Sequence, residues 1–140
     1  MSDASKQSRF YCAHPCFIVN DLVASAEFYR DKLGFRFHRY WGEPPCFVMV
    51  ARDNVEFFLS YQGPKLAKPN HLTNAEVPWD AYVRVADADA LCAEFKSRGV
   101  KIHREPETAF YDQREFEIED PDGYRICFAH SVTAPNSNPA

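Results

Sequence analysis

The chain has 140 residues, 46% of them hydrophobic and 15% aromatic, a composition typical of one globular domain with a substantial core and not of a disordered chain. Sixteen Lys and Arg against 20 Asp and Glu give a formal net charge of −4, so we expect no binding to nucleic acid or to an anionic membrane. The sequence shows no apolar run of membrane-spanning length and no apolar leader, and its five scattered cysteines form no CxxC pair. We therefore expect a cytoplasmic protein with reduced thiols.

The first half of the chain is predicted to form a strand, a helix and three further strands. Residues 1–9 are polar and predicted to be flexible, and residues 10–19 form the first predicted strand. Asp21 is a helix N-cap, after which apolar residues recur at helical spacing until Gly34, a residue that readily ends a helix. The three strands are predicted over residues 35–41, 46–51 and 55–60.

The second half repeats this order after an aperiodic linker rich in Gly, Pro and Asn. A strand over residues 79–85 precedes a helix capped by Asp87 and ended by Gly99. A short strand over residues 100–104 and a loop over residues 105–113 follow. The last two strands, residues 114–119 and 124–129, are joined by the turn Asp120-Pro121-Asp122-Gly123, and residues 132–140 are predicted to be flexible.

The repeated order predicts two βαβββ modules in one domain. Asp21 and Asp87, the two caps, are 66 positions apart, and so are His14 and Asp80 near the starts of the two units. We assign module 1 to residues 10–62, the linker to residues 63–78 and module 2 to residues 79–131, all within a single domain over residues 10–131.

Alternation along the strands predicts one apolar and one chemically mixed face. The residues predicted to face the helices are all apolar: Phe17, Val19, Phe57, Leu59, Ala81, Val83, Ile126 and Phe128. The opposite face combines charged, thiol and aromatic side chains. If the two modules cup towards each other, this second face lines a pocket.

Three segments resemble the vicinal oxygen chelate superfamily, which includes glyoxalases, extradiol dioxygenases and fosfomycin- and bleomycin-resistance proteins. They read HPCFIVNDLVASAEFYRDKLGF, DAYVRVADADALCAEFKSRGV and REFEIEDPDGY. The resemblance implies an α+β fold in which two βαβββ modules form a cupped mixed sheet with helices on its outer face. It also implies a homodimer, since sites in this family often form between protomers.

In the metal-dependent branches, the resemblance places ligands at four positions, which here carry His14, Phe58, Asp80 and Cys127. Phe58 departs outright from the His or Glu usual there, and Cys127 and Asp80 also depart. The stretch VEFFLSYQG resembles the bleomycin-resistance branch, whose members bind a ligand without metal. We therefore expect no cofactor. The alternative is a lyase or dioxygenase in which His14, Asp80 and Cys127, or Glu56, hold Zn, Ni, Fe or Mn against vicinal substrate oxygens.

The mixed face supplies the predicted ligand-binding residues of a protein that sequesters a small molecule without chemistry. Its aromatic members suit an apolar, planar or cationic ligand. Cys127 is interpreted as a pocket-lining thiol and not a nucleophile, because no His adjoins it in sequence. The charges on this face are expected to pair across the pocket. The predicted set is His14, Phe47, Met49, Glu56, Phe58, Asp80, Tyr82, Arg84, Tyr111, Arg125 and Cys127.

Overall fold

The computed structural model describes residues 8–133, which form eight strands and three helices. The predicted flexible segments, residues 1–9 and 132–140, lie largely outside the described residues. The helices are α1 (Leu22–Asp31), α2 (Asn70–Thr73) and α3 (Ala88–Ser97). The strands are β1 (Cys16–Ile18), β2 (Tyr40–Trp41), β3 (Phe47–Arg52), β4 (Val55–Ser60), β5 (Ala81–Arg84), β6 (Ile102–Thr108), β7 (Gln113–Glu119) and β8 (Arg125–Ser131). No helix within this part of the chain is long and apolar enough to span a membrane.

Both long helices begin and end as the sequence predicts. The side chain of Asp21 accepts a hydrogen bond from the backbone N–H of Ala24, and that of Asp87 accepts one from Ala90, each at 3.0 Å. These bonds satisfy N–H groups that have no partner inside the helix. Gly34 follows α1 with φ of 77°, a conformation that costs a residue without a side chain little.

The strands form two four-stranded sheets with the same topology. Sheet 1 has the order β1-β4-β3-β2, and sheet 2 has the order β5-β8-β7-β6. In each sheet the first strand pairs in parallel with the last strand of its module, and the other pairs are antiparallel. Phe17 pairs with Leu59 in sheet 1, and Val83 pairs with Phe128 in sheet 2. The predicted α+β fold of two βαβββ modules is confirmed.

One hydrophobic core joins the two modules. All eight residues predicted to face the helices are buried in it, together with Tyr29 of α1 and Phe95 of α3. Side chains alternate across a strand, so the opposite face of each sheet is turned away from this core. We call that opposite face the front face. Because the apolar faces of sheets 1 and 2 meet in one core, their front faces point away from each other within one chain.

Three predicted element boundaries are wrong. The first strand pairs with β4 only over Cys16–Ile18, with flanking hydrogen bonds at Pro15 and Val19. The predicted strand over residues 35–41 is reduced to an Arg36–Ala51 bridge and β2. The predicted loop after residue 104 is instead the continuation of β6 to Thr108. Pro106 is tolerated there because β6 is an edge strand.

Candidate functional site

An aromatic cluster covers the front face of sheet 1. The ring of Phe58 on β4 stacks on His14 with centroids 4.8 Å apart, and it also contacts Phe47 on β3 at 5.4 Å. Met49 is the cross-strand neighbour of Phe58 and lies on the same face. The sequence places these side chains together because residues 47 and 49 on β3 and 56 and 58 on β4 share one side of the hairpin. They give sheet 1 a flat, largely apolar front.

Polar contacts fix the orientation of the His14 ring within this cluster. Its Nδ1 atom lies 3.3 Å from the backbone oxygen of Glu56 and 3.5 Å from the Oε1 atom of the same residue. Its Nε2 atom lies 3.3 Å from the Sγ atom of Cys12. Glu56 therefore holds the imidazole against Phe58 on the front face of sheet 1.

The front face of sheet 2 contains a buried carboxylate. Glu115 on β7 is 2% exposed, and its two oxygens accept hydrogen bonds from the Tyr82 hydroxyl at 2.8 Å, the Tyr111 hydroxyl at 2.7 Å and the Arg104 guanidinium at 2.9 Å. Burial alone would raise the pKa of Glu115, but these hydrogen bonds and the Arg104 charge lower it below its usual value. Burial and the Glu115 carboxylate raise the pKa of Tyr111 to about 12.

Arg104 on β6 ties three carboxylates together. Its guanidinium also contacts Glu117 at 2.8 Å and Glu107 at 2.7 Å. Cys127 on β8 lies buried beside this network, and burial, with the charges of Glu115 and Glu117, raises the pKa of its thiol. The thiol is therefore protonated at neutral pH and is a poor nucleophile.

The remaining charges predicted for the site have partners other than those expected. Asp80 accepts backbone N–H bonds from Asn70 at 2.7 Å and from Arg125 at 2.8 Å, so it anchors the start of α2 to β8. The side chain of Arg125 pairs with Glu119, and that of Arg84 donates to Gln113. Charges of sheet 1 and sheet 2 do not pair across a pocket within the described chain: Glu56 contacts His14, and Arg125 contacts Glu119, because the two front faces point apart.

The alternative metal set is not assembled in one chain. His14 lies on the front of sheet 1, Cys127 is buried in sheet 2, and both oxygens of Asp80 hold backbone N–H groups. Among residues 8–133, no three His, Cys, Asp or Glu side chains are grouped so that they could hold a metal ion. Within one chain these donors therefore do not form the ligand set that a first-row metal requires.

Sequence reasoning missed the buried charges of sheet 2. Glu115, Arg104 and Glu117 are absent from the set of residues that the sequence predicts for the site. The alternation of Glu115, Glu117 and Glu119 along one strand face was the available signal. The burial of Glu115 and Glu117 depends on Arg104, which contacts both from the neighbouring strand β6. The register between β6 and β7 is irregular, so sequence spacing does not reveal these contacts.

The family model and the solved structures that match this chain indicate the same protein family. A family model described as the Glyoxalase/Bleomycin resistance protein/Dioxygenase superfamily matches residues 11–128. A solved bleomycin resistance determinant encoded on the transposon Tn5 is 20% identical, with a TM-score of 0.69, over 89% of this chain and 100% of that chain. A glyoxalase/bleomycin resistance protein/dioxygenase from Alicyclobacillus acidocaldarius is 17% identical, with a TM-score of 0.70, over 86% and 91%.

A third similar structure is TnmS3, an antibiotic binding protein from Streptomyces. It is 22% identical, with a TM-score of 0.61, over 89% of this chain and 100% of that chain. The comparison with curated protein sequences gives no significant match. At these identities the three structures establish a common fold.

Proposed function

Because the chain belongs to the glyoxalase/bleomycin resistance protein/dioxygenase superfamily, we propose that it binds a small molecule against the front faces of its sheets. The observation that carries this proposal is that side chains on the front faces, which point away from the core, are held in fixed positions by packing and hydrogen bonds. Phe58 stacks on His14 and packs against Phe47 at a tilt, and Glu115 is buried with three hydrogen-bond donors. A merely solvated face would carry separate polar side chains, whereas a preformed apolar surface with a few convergent polar groups is typical of a ligand site.

The binding groove is completed by a second copy of the chain. Within one chain the two front faces point apart, so a groove with both kinds of wall requires sheet 1 of one protomer to face sheet 2 of another. We therefore propose a homodimer with two equivalent grooves. Sedimentation equilibrium should give twice the chain mass of 16.1 kDa, and a monomer that still binds ligand would contradict this arrangement.

The two walls together favour a planar cationic ligand. Sheet 1 offers stacked aromatic rings, and cations bind favourably over such rings. Sheet 2 offers four carboxylates, Asp80, Glu115, Glu117 and Glu119, against the three arginines Arg84, Arg104 and Arg125, an excess of negative charge on that wall. The names of two similar structures, a bleomycin resistance determinant and an antibiotic binding protein, support sequestration of a small molecule.

Binding is proposed to require no metal, because both Asp80 oxygens already accept backbone N–H groups and burial raises the pKa of the Cys127 thiol, which leaves His14 as the remaining donor of the set His14, Asp80 and Cys127. Elemental analysis of protein supplied with Zn²⁺, Ni²⁺, Fe²⁺ and Mn²⁺ and then dialysed against a weak chelator tests this. About one retained ion per chain, lost in His14→Ala, would instead support a metal-dependent lyase or dioxygenase.

A titration with proflavine, a planar aromatic cation, tests the groove itself. Phe58→Ala should weaken binding roughly tenfold, because it removes the central stacking surface. Phe37→Ala is the matched control, since Phe37 packs beside Arg30 of α1 and away from the front face. Equal affinities for wild type and Phe58→Ala would exclude the aromatic wall from the site, and equal affinity for the anion naphthalene-2-sulfonate would exclude the proposed preference for cations.

A further inference from the structure

The internal repeat allows two junctions between the modules to be compared position by position. At the first junction, the turn between β7 and β8 packs against α1. At the second junction, the turn between β3 and β4 packs against α3. The pairing of Phe17 with Leu59 and of Val83 with Phe128 fixes the correspondence: residues of β1 and α1 match those 66 positions later, and residues of β4 match those 69 positions later.

The first junction is filled by an aromatic ring. Tyr124 stacks on Phe17 with centroids 4.5 Å apart and an interplanar angle of 11°, and its hydroxyl donates to the backbone oxygen of Ile18 at 2.6 Å. Asp122 beside it accepts hydrogen bonds from the Asn20 N–H and the Ser25 hydroxyl. Ring, hydroxyl and carboxylate therefore fill the space between this turn and α1. The opening that remains beside Tyr124, about 390 Å³, lies on the side of Lys68 and Asn70 and not against the helix.

The second junction has no ring at the equivalent position. Val55 in module 1 occupies the position equivalent to Tyr124 in module 2. A cavity of about 460 Å³ lies between the turn that joins β3 to β4 and α3. Its apolar lining includes Val83, Leu91, Phe95 and Phe128. An ion pair spans the same junction, in which Arg52 donates to the two carboxylate oxygens of Glu94 at 2.9 and 3.0 Å.

Charge and hydrogen bonding at the second junction indicate the class of occupant. Asp53, Asp87 and Glu94 line the cavity with Arg52 and Arg84, so an added anion would meet a net negative surrounding. The backbone oxygen of Arg84 corresponds to that of Ile18, which accepts the Tyr124 hydroxyl at the first junction. The apolar part of the lining lies unfilled, and an unfilled apolar surface of this kind favours small aromatic molecules.

We propose that the second junction is a binding site for a small neutral phenol, which takes the place that Tyr124 occupies at the first junction. The ring lies against Val83 and Phe95, and the hydroxyl is directed to the Arg84 backbone oxygen. This site lies on the core side of the sheets, so it is separate from the proposed front-face groove and does not depend on it.

The test is a titration of the full chain with p-cresol, which has the shape of a tyrosine side chain. Wild type should bind p-cresol saturably, and both 4-hydroxybenzoate, an anion, and cyclohexanol, which lacks the aromatic ring, should bind at least roughly tenfold more weakly. Val55→Tyr should abolish p-cresol binding and raise the melting temperature, because its ring fills the cavity as Tyr124 does at the first junction.

Two further variants keep the test decisive. Leu91→Trp fills the same cavity from α3 and should also abolish binding, so it replaces Val55→Tyr if that variant does not fold. Phe58→Ala, on the front face, should leave p-cresol binding unchanged even if it weakens proflavine binding. Absence of saturable p-cresol binding to wild type, or unchanged binding in a folded Val55→Tyr or Leu91→Trp variant, would overturn the proposal.

Discussion

Glu115 illustrates at the scale of one residue how a charge can lie under a binding surface. A carboxylate buried without donors would be protonated or would unfold its surroundings. Two tyrosine hydroxyls and an arginine reverse this, and they lower the pKa of Glu115 although burial acts to raise it. The charge is therefore a fixed part of the front face of sheet 2 and not a mobile side chain at its rim.

Glu115→Gln should lower the free energy of unfolding by roughly 1–3 kcal/mol at pH 7, because the amide cannot accept all three charge-assisted hydrogen bonds. Since the folded-state pKa is lowered, the stabilisation by Glu115 is present above the unfolded pKa and is lost as pH falls through the folded pKa. The difference between wild type and variant should therefore shrink below about pH 4, the region of an ordinary Glu pKa. Urea unfolding of both proteins at pH 7 and pH 3.5 measures this difference in the free energy of unfolding.

A matched control for this variant is Glu105→Gln. Glu105 pairs with Lys96 on the exposed surface, so its loss should change stability much less. Equal effects of the two substitutions would show that the buried network around Glu115 contributes no more than a surface pair.

The cysteines make a second prediction at this scale. Cys12, Cys16 and Cys46 are exposed, whereas Cys92 and Cys127 are buried and burial raises the pKa of both thiols. Titration of the reduced native protein with Ellman's reagent should therefore show three fast thiols, and unfolding in guanidinium should release the other two. Fast reaction of Cys127 in the native protein would mean that the front face of sheet 2 opens readily.

At the scale of elements, the turn between β7 and β8 is the part that fastens module 2 to α1. Asp120 in this turn is buried and accepts hydrogen bonds from the Tyr29 hydroxyl and from the backbone N–H groups of Asp122 and Tyr124. The same carboxyl therefore shapes the turn and holds it on the helix. Burial raises its pKa to about 7 despite these donors.

Asp120→Asn should change how stability depends on pH. Because the folded-state pKa is raised above the unfolded value, ionisation of Asp120 opposes folding, and the wild-type free energy of unfolding should fall as pH rises from about 4 to about 7. At about 1.4 kcal/mol per pKa unit, the fall is on the order of 1–4 kcal/mol. Asparagine keeps an acceptor for the backbone N–H groups and cannot ionise, so the variant should lose this slope.

Urea midpoints at pH 5 and pH 8 measure the effect, with Asp112→Asn as the control. Asp112 is exposed and has a left-handed backbone conformation that asparagine also adopts, so this control should retain the wild-type slope. If the free energy of unfolding of Asp120→Asn fell with rising pH as steeply as that of the wild type, other groups would be responsible for the pH dependence.

At the scale of the whole molecule, the shared core makes the two modules one folding unit. Phe57 comes from module 1 and Phe95 from module 2, and both are almost fully buried in the same cluster. Neither module could bury its apolar face without the other. The chain should therefore unfold cooperatively although its sequence is a repeat.

Phe57→Ala and Phe95→Ala should each lower the free energy of unfolding by roughly 3–5 kcal/mol, because each opens a cavity in the common core. Both variants should keep a single transition. Tryptophan fluorescence reports on Trp41 in module 1 and Trp79 in module 2, and far-UV circular dichroism reports on the helices. Transitions that separate between the two probes would show that the modules unfold independently.

Local chemistry in the sequence by itself determined the α+β fold, the two helices with their aspartate caps and the apolar faces of β1, β4, β5 and β8. Caps, periodicity and turns act over a few residues, so they can be read without the rest of the chain. The same alternation placed Phe47, Met49, Glu56 and Phe58 on one face of a hairpin, as the structure does.

Only the tertiary structure decided how the two mixed faces lie and which charges they bury. A repeat does not specify whether its copies meet by their mixed or by their apolar faces, and burial of Phe17, Tyr29, Phe57 and Phe95 in one core settled that the front faces point apart. The partners of Glu115, Asp80 and Arg125 come from distant segments whose register depends on the whole fold. Long-range hydrogen bonding and shared burial therefore fixed what local sequence left open.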